Sequence, residues 1–334
     1  MTLHIAIAGA GAVGLLLAAR LSQAGQAVTL LTRTADQAGQ LRAAGLDFTA
    51  RDSTRARIAV AAEPLTADPA AGSSALAGLQ PAWIFLTVKQ HALHDQEFLD
   101  GLQARVGPQT RLLCFQNGIG HLEKLAETFP AAKLYAAVTT EGALRTSPGA
   151  VTHTGEGVTR IGQAPSTLQT GLISTSLHDS NESAASLNLL IKLLCEAGIK
   201  TELSKDIVNE MYQKLLINAV INPITAILRI SNGELIRNAY ASSLMLRLFD
   251  ESYAAVAAQV EELPDRMWNR IEEVCARTAV NRSSMLQDVE AKRVTEIEAI
   301  TGRLIAQGRL KGIPMTASET LYALIKAMES DYNG

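Results

Sequence analysis

The chain has 334 residues, is 47% hydrophobic and 19% charged, and carries a formal net charge of −3. That composition supports a packed core and excludes a disordered chain, and no block of like charge favours a nucleic-acid or anionic-membrane partner. Cys114, Cys195 and Cys275 lie far apart, outside any CxxC spacing and odd in number, so a disulfide framework is not expected and a reducing, cytoplasmic setting is.

The opening "MTLHIAIAGAGAVGLLLAARL" has no basic leader and is broken by glycines and Arg20, so it reads as neither a signal peptide nor a membrane span. Instead "LHIAIAG" predicts a buried strand, "AVGLLLAARLSQAG" a helix closed by Gly25, and "QAVTLLTR" a second strand. This is β-α-β with parallel strands, the start of a doubly wound sheet. "PAWIFLTVK" (81–89) and "TRLLCFQNG" (110–118) add two buried strands ending in polar residues, where such sheets collect ligand contacts. From 133 to 162 short alternating runs rich in Thr, Val and Gly predict smaller strands completing that sheet. "PSTLQTGLISTSLHDSNES" (165–183) reads as a polar surface loop, followed by a helix, "AASLNLLIKLLCEAG", and a short strand, "KTELS".

After Lys205 nearly everything has helical periodicity: "DIVNEMYQKLLINAVINPITAIL", "SSLMLRLFDESYAAVAAQVEEL", "MWNRIEEVCART", "MLQDVEAKRVTEIEAITGRLIAQGRL" and "TASETLYALIKAMES". The expected fold class is α/β, with an N-terminal Rossmann-type doubly wound domain over 1–205 and an all-helical domain over 206–334. The helical part is large enough to carry a homodimer face, although no stripe marks one. The six histidines are scattered, and His91 and His94 read as first-turn helix residues, so no metal site is expected.

Gly9, Ala10, Gly11, Ala12, Val13 and Gly14 follow the first predicted strand and open a helix. In such a turn the first glycine allows the tight bend, the second lets a pyrophosphate approach the backbone, and the third lets helix and strand pack closely. The strand–turn–helix context makes a dinucleotide site the preferred reading over a glycine turn kept for packing alone. An NAD site usually has an acidic residue about 20 residues further on. Here "LLTRT" places Thr32 and Arg33 at the end of the second strand, and a guanidinium suits a 2′-phosphate, so NADP(H) is the expected cofactor. A solvated surface arginine is the bland alternative.

In "QKLLINAVINP", Lys214, Asn218 and Asn222 fall at i, i+4 and i+8 and share one face of an otherwise apolar helix. Buried amides need partners and a buried ammonium costs more still, so something polar must face this stripe. A substrate cleft, a wet domain interface and core amides bonded to backbone all satisfy that requirement. Asn222-Pro223 adds an expected kink. "NRSSMLQD" (281–288) reads as a helix start with Ser284 as N-cap and Gln287 as its capping-box partner, and the same turn would suit a carboxylate. Glu296 is expected on that same helix.

Together "GAGAVG", "LTVKQ", "FQNGIG", "YQKLLINAVINPITAI", "SNGEL", "SSMLQD" and "RVTEIEAITG" resemble, in order and over nearly the whole chain, the ketopantoate reductase (2-dehydropantoate 2-reductase) family. The lysine–asparagine helix followed by SSMLQD and TEIE is the specific part, since the glycine turn is shared by many dehydrogenases. The resemblance implies reduction of a small-molecule 2-keto acid, ketopantoate, with NADPH in pantothenate synthesis. It implies Lys214 as general acid and Glu296 as the acidic residue that helps fix substrate and cofactor. Asn218, Asn222 and Asn232 match substrate-binding positions, and Asn281, Ser283 and Ser284 the carboxylate-binding turn. Arg33 matches the 2′-phosphate contact, Lys89 and Asn117 groups near the cofactor, and Ala143 a cofactor-lining position. Two rivals remain: a paralogue reducing another 2-keto acid, and a non-catalytic NADP(H) sensor on the same fold.

Overall fold

The computed structural model describes residues 3–66, 80–165, 177–260 and 262–333. The chain divides into two units, Met1–Gln116 with His121–Ile207, and Asn117–Gly120 with Val208–Gly334.

In the first unit, apolar runs alternate with helices. They give β1 (His4–Ala8), α1 (Ala12–Gln23), β2 (Ala27–Thr32), α2 (Ala35–Ala44), β3 (Leu46–Thr49), β4 (Arg55–Ile58), β5 (Ala61–Pro64) and β6 (Trp83–Leu86). After β6 come a 3-10 turn at Gln90–His94, α3 (Gln96–Gln103), β7 (Arg111–Cys114), α4 (His121–Thr128) and β8 (Lys133–Thr139). The unit closes with β9 (Gly142–Ser147), β10 (Ala150–Gly155), β11 (Thr159–Gln163), α5 (Leu177–Glu196) and β12 (Thr201–Leu203).

The main sheet has eight strands in the order β12-β11-β8-β7-β6-β1-β2-β5. From β5 to β8 all neighbours are parallel, while β11 returns antiparallel to β8. The parallel strands are buried on both faces, which is why they read as unbroken apolar runs. The chain winds from β1 outward to β5 and resumes at β6 on the other side of β1. The strand order therefore reverses between β1 and β6, and the carboxyl ends of those two strands form the switch point where doubly wound sheets bind ligands.

Two expectations fail here. The strands between 133 and 162 do not all complete the main sheet. β9 and β10 join β3 and β4 in a second sheet, ordered β4-β3-β10-β9, and α1 packs against it. Of the expected loop at 165–183, residues 177–183 belong to α5, and 166–176 lie outside the described residues. A polar turn of helix satisfies its own backbone, so Ser/Asn/Asp composition alone does not decide against it.

The second unit is helical: α6 (Ile207–Leu228), α7 (Asn232–Arg237), α8 (Ala239–Ala257), α9 (Met267–Arg277), α10 (Ser284–Glu290), α11 (Arg303–Lys311) and α12 (Thr316–Ser330). Leu215, Leu216, Ala219, Val220, Ile221 and Ile224 bury most of the circumference of α6 in the core of this unit. Pro223 sits inside α6 without ending it. The Thr225 hydroxyl lies 3.0 Å from the Ile221 carbonyl and 2.9 Å from that of Asn222, the back-bonding by which a threonine inside a helix satisfies its own hydroxyl. Among the described residues, no helix is long and apolar enough to cross a membrane.

The expected single helix from Met285 to Leu310 is broken. α10 stops at Glu290, Lys292 adopts a left-handed φ of 50°, and helix resumes only past Thr295, first as a π turn at Glu298–Gly302 and then as α11. Glu296 is therefore not on the helix that Ser284 opens.

Candidate functional site

The glycine turn in the first unit is built as the motif demands. Gly9 has φ +112°, and a Cβ there would meet Val88 at 2.9 Å. A Cβ on Gly14 would fall 1.9 Å from the Gly9 carbonyl oxygen and 2.6 Å from the Thr87 hydroxyl, so only glycine lets α1 approach β1 this closely. Gly11 differs, because a Cβ there would meet nothing within 4 Å. Gly11 is the N-cap of α1, and no side chain caps it or places an acid in the first turn. The first N–H groups of α1, from Ala12 and Val13 onward, have no acceptor within their own helix, and they stand at the positive end of its dipole. A cradle left open at Gly11 and tightly packed at Gly9 and Gly14 fits a dinucleotide pyrophosphate.

The turn is locked from below and from the side. Thr87, just past β6, donates its hydroxyl to the Gly9 carbonyl at 2.8 Å. The Ala10 carbonyl accepts from Gln37 Nε2 at 3.3 Å and from Arg145 Nη1 at 3.4 Å. Arg33 is exposed directly beyond β2, next to Thr34, which N-caps α2. Lys89 precedes the 3-10 turn after β6, and Ala143 lies on β9 opposite His153.

In the second unit α6 carries Lys214, Asn218 and Asn222. Asn222 is buried, and Lys214 and Asn218 are half-buried. Burial lowers Lys214 from the ordinary 10.5 to about 8, and the negative charge of Glu296 opposes that fall. Glu296 Oε2 accepts a hydrogen bond from Asn117 Nδ2 at 2.8 Å. Asn117 belongs to the short segment that follows β7, and the π turn explains how it is held. The Arg303 N–H reaches back to the Glu298 carbonyl, so the Ala299 carbonyl is left outside that ladder and accepts from the Ile119 N–H at 3.3 Å. Gly118 has φ +84°, and a Cβ on it would lie 2.3 Å from the Ala299 oxygen. The glycine of "FQNGIG" is thus what lets this segment lie on the π turn and present Asn117 to Glu296.

Ser283, not Ser284, is the N-cap of α10, accepting from the Leu286 N–H at 3.1 Å. Gln287 does not close a capping box and instead donates to the Arg282 carbonyl at 3.0 Å. The reason is packing: Met285 and Leu286 are buried, which sets the helical phase and turns Ser283 inward against Thr225 of α6, 2.7 Å away. The Ser283 hydroxyl is therefore committed to structure, whereas Ser284 is exposed at the first helical position. Asn232 opens α7, its N–H donating to the Asn281 carbonyl at 3.0 Å and its Nδ2 to the Thr278 hydroxyl at 2.9 Å. Asn232 Oδ1 is buried without a partner, and the Asn281 side chain is exposed.

The second unit thus brings together Lys214, Glu296 and Asn117, and separately Asn232 with Asn281, and Ser283 with α6. Thr295 and Glu329, which anchor the Glu296 segment, escaped the sequence reading, since no local pattern links residues 34 positions apart.

Two family models match the chain: "Ketopantoate reductase PanE/ApbA" over residues 5–166 and "Ketopantoate reductase PanE/ApbA C terminal" over 206–329. A 2-dehydropantoate 2-reductase of Bacillus subtilis is 33% identical across 99% of this chain and 99% of its own. The crystal structure of a probable 2-dehydropantoate 2-reductase from Bacillus subtilis aligns with a TM-score of 0.74 at 30% identity, covering 98% of this chain and all of that one. A ternary structure of D-mandelate dehydrogenase with NADH and anilino(oxo)acetate aligns with a TM-score of 0.85 at 25% identity over 99% of both chains. Matched in both halves by the family's models, and at 33% identity along essentially its whole length, the chain belongs to the ketopantoate reductase family of oxidoreductases.

Proposed function

We propose that this chain reduces 2-dehydropantoate to pantoate with NADPH, in the synthesis of pantothenate, with Lys214 as the general acid. The observation that carries the proposal is the desolvated Lys214, brought to about 8 beside Glu296 on an otherwise apolar helix. A bound nicotinamide dinucleotide supplies the hydride, and the glycine turn at Gly9, Gly11 and Gly14 with Arg33 would hold its phosphates. As the keto carbon is reduced, negative charge develops on the carbonyl oxygen, and the Lys214 ammonium stabilises that charge and gives up its proton. An ammonium near 8 is a far better donor at neutral pH than one at 10.5 and is still mostly protonated there. Glu296 keeps the proton on Lys214 until it is needed. Asn218 and Asn222, one and two helical turns along the same face, together with Asn232 orient the hydroxyl and carbonyl groups, while Ser284 with Asn281 engages the carboxylate end. Holding the acid and the keto acid in register removes much of the entropic barrier.

Arg33 supports NADPH over NADH. The experiment is turnover followed by loss of reduced cofactor, with ketopantoate set against other branched and aryl 2-keto acids, and NADPH against NADH. Replacing Arg33 with serine should weaken NADPH about 10–100-fold, the worth of one or two charge-assisted hydrogen bonds, and leave NADH nearly unchanged. The second reading is another 2-keto acid on the same machinery, favoured by the likeness to D-mandelate dehydrogenase. A kcat/KM for an aryl keto acid above that for ketopantoate would select it.

A further inference from the structure

We propose that Glu329, near the end of α12, is a positioning residue for Glu296, acting through Thr295 to set where the Glu296 carboxylate stands. The inference rests on the reading of Lys214 and Glu296 as the catalytic pair.

Glu296 sits in the short non-helical link between α10 and the π turn. α10 has ended at Glu290, Lys292 turns left-handed, and the π turn begins only at Glu298. Ala291, Lys292 and Arg293 still bond back to the α10 carbonyls of Gln287, Val289 and Asp288, but the stretch from Val294 to Glu296 lies beyond that cap and outside any helical ladder, so its position depends on other partners. Thr295 is where those partners converge. Glu329 Oε1 accepts both the Thr295 N–H at 2.8 Å and the Thr295 hydroxyl at 2.6 Å. The Thr295 hydroxyl oxygen in turn accepts the Ile297 N–H at 3.1 Å, so Thr295 and Ile297 are tied together across Glu296. Lys326 Nζ holds the second Glu329 oxygen at 2.8 Å.

The carboxylate doing this is buried, at 6% exposure, and so is Thr295, at 4%. Burial disfavours the charge on Glu329, but the bonds from Lys326 and Thr295 outweigh it, and the carboxyl stays below its usual range. The Tyr322 and Tyr332 phenols feel its charge, and both are pushed upward and neutral at physiological pH; Glu298 acts on the first, and Arg229, Asp288 and Asp331 on the second. A buried carboxylate with every bond directed at one threonine and one lysine on its own helix is a costly way to cap a turn. It is what fixing the following side chain requires. Asn117 holds the Glu296 carboxylate itself, and Glu329 holds the backbone from which it springs.

The consequence is readable at Lys214. Glu296 raises the Lys214 pKa, so a Glu296 carboxylate that has swung away lets burial lower it further. The test compares full-length Glu329→Ala, Glu329→Gln, Thr295→Val and Glu251→Ala with Glu296→Gln as reference. Each is measured for kcat and KM against pH, for NADPH dissociation by direct titration, and for thermal midpoint. Glu329→Ala is expected to move the alkaline limb of the kcat profile to lower pH, in the direction of Glu296→Gln, with kcat reduced about tenfold. Glu329→Gln keeps an amide oxygen for both Thr295 donors and should retain the wild-type limb. Thr295→Val, which keeps the shape but loses the hydroxyl, should shift as Glu329→Ala does and carries the test if that variant does not fold. Glu251 caps the opposite end of α12, accepting the Ala317 and Ser318 N–H groups at 2.8 Å each. Glu251→Ala should lower the midpoint and leave the limb in place. An unmoved limb in both Glu329→Ala and Thr295→Val, or an equal shift in Glu251→Ala, overturns the inference. Failure of the underlying reading shows separately, as turnover that survives in Lys214→Ala.

Discussion

Replacing Lys214 with methionine should make the protein more stable while abolishing its chemistry. Burial takes the ammonium from 10.5 to about 8. At about 1.4 kcal/mol per unit, that fall corresponds to about 3 kcal/mol of disfavour for the charged form in the fold. Between pH 8 and 10.5 the unfolded chain holds a proton that the folded one has released, so stability rises with pH across that window. Below pH 8 both states are protonated and the whole cost is present. Methionine has similar reach and no charge. Its gain near neutrality is bounded by that figure and reduced by the partner it takes from Glu296, which leaves about 1–2 kcal/mol. Each kcal/mol is worth about 2–4 °C in midpoint for a protein of this size. The assay is thermal denaturation near pH 7 and again near pH 10, together with turnover. The midpoint should rise near neutrality, the gain should shrink at the higher pH, and turnover should be lost. A variant no more stable near neutrality, or one whose gain is the same at both pH values, would refute the claim that Lys214 is held against its solvation preference.

The glycine turn offers a separation of roles. Gly11→Ala should fold with an unchanged midpoint yet lose cofactor affinity by at least about tenfold, measured by titration of NADPH fluorescence, because its methyl enters only the space meant for phosphate. Gly14→Ala should instead cost about 3 kcal/mol or more, read as a collapsed midpoint or insoluble protein, since its methyl would fall 1.9 Å from a carbonyl oxygen. The two serines divide in the same manner. Ser283→Ala should lose about 1 kcal/mol of stability as a missing N-cap, while Ser284→Ala should leave the midpoint alone and raise KM for the keto acid several-fold in steady-state assays.

The parts of this protein that declared themselves in the sequence are those whose physics is local. Strands β1, β2, β6 and β7 are apolar on both faces, and α6 and α12 have long uninterrupted helical spacing, so each is readable without its neighbours. The second sheet was not, because β3 and β10 pair across about a hundred residues and neither is distinctive alone. "VEAKRVTEIEAI" contains no glycine or proline, so nothing in it announces that helix stops at Glu290, where Lys292 turns left-handed and the Arg293 N–H closes back on the Asp288 carbonyl. The choice between adjacent serines as cap turned on which side of the helix met α6. Of the candidate site, the stripe Lys214, Asn218 and Asn222 follows from spacing, but the meeting of Asn117 with Glu296 needs a backbone geometry that no periodicity encodes.

The π turn at Glu298–Gly302 is, in effect, one residue more than an α-helix needs. Sequence length here therefore sets the direction of the side chains on either side. Deleting a single residue from "EAITG" would heal the helix and give it a smoother hydrogen-bond ladder. It would also rotate everything before it by about 100°, the angle between successive residues of an α-helix. Glu296 would then point away from Lys214, and the Ala299 carbonyl would close on its own helix instead of on Ile119. A relative that lacks that one residue could keep every motif residue and the fold, and still have lost the geometry that joins Asn117, Glu296 and Lys214. For this family, a one-residue gap in that segment would be a stronger warning of altered chemistry than many substitutions elsewhere.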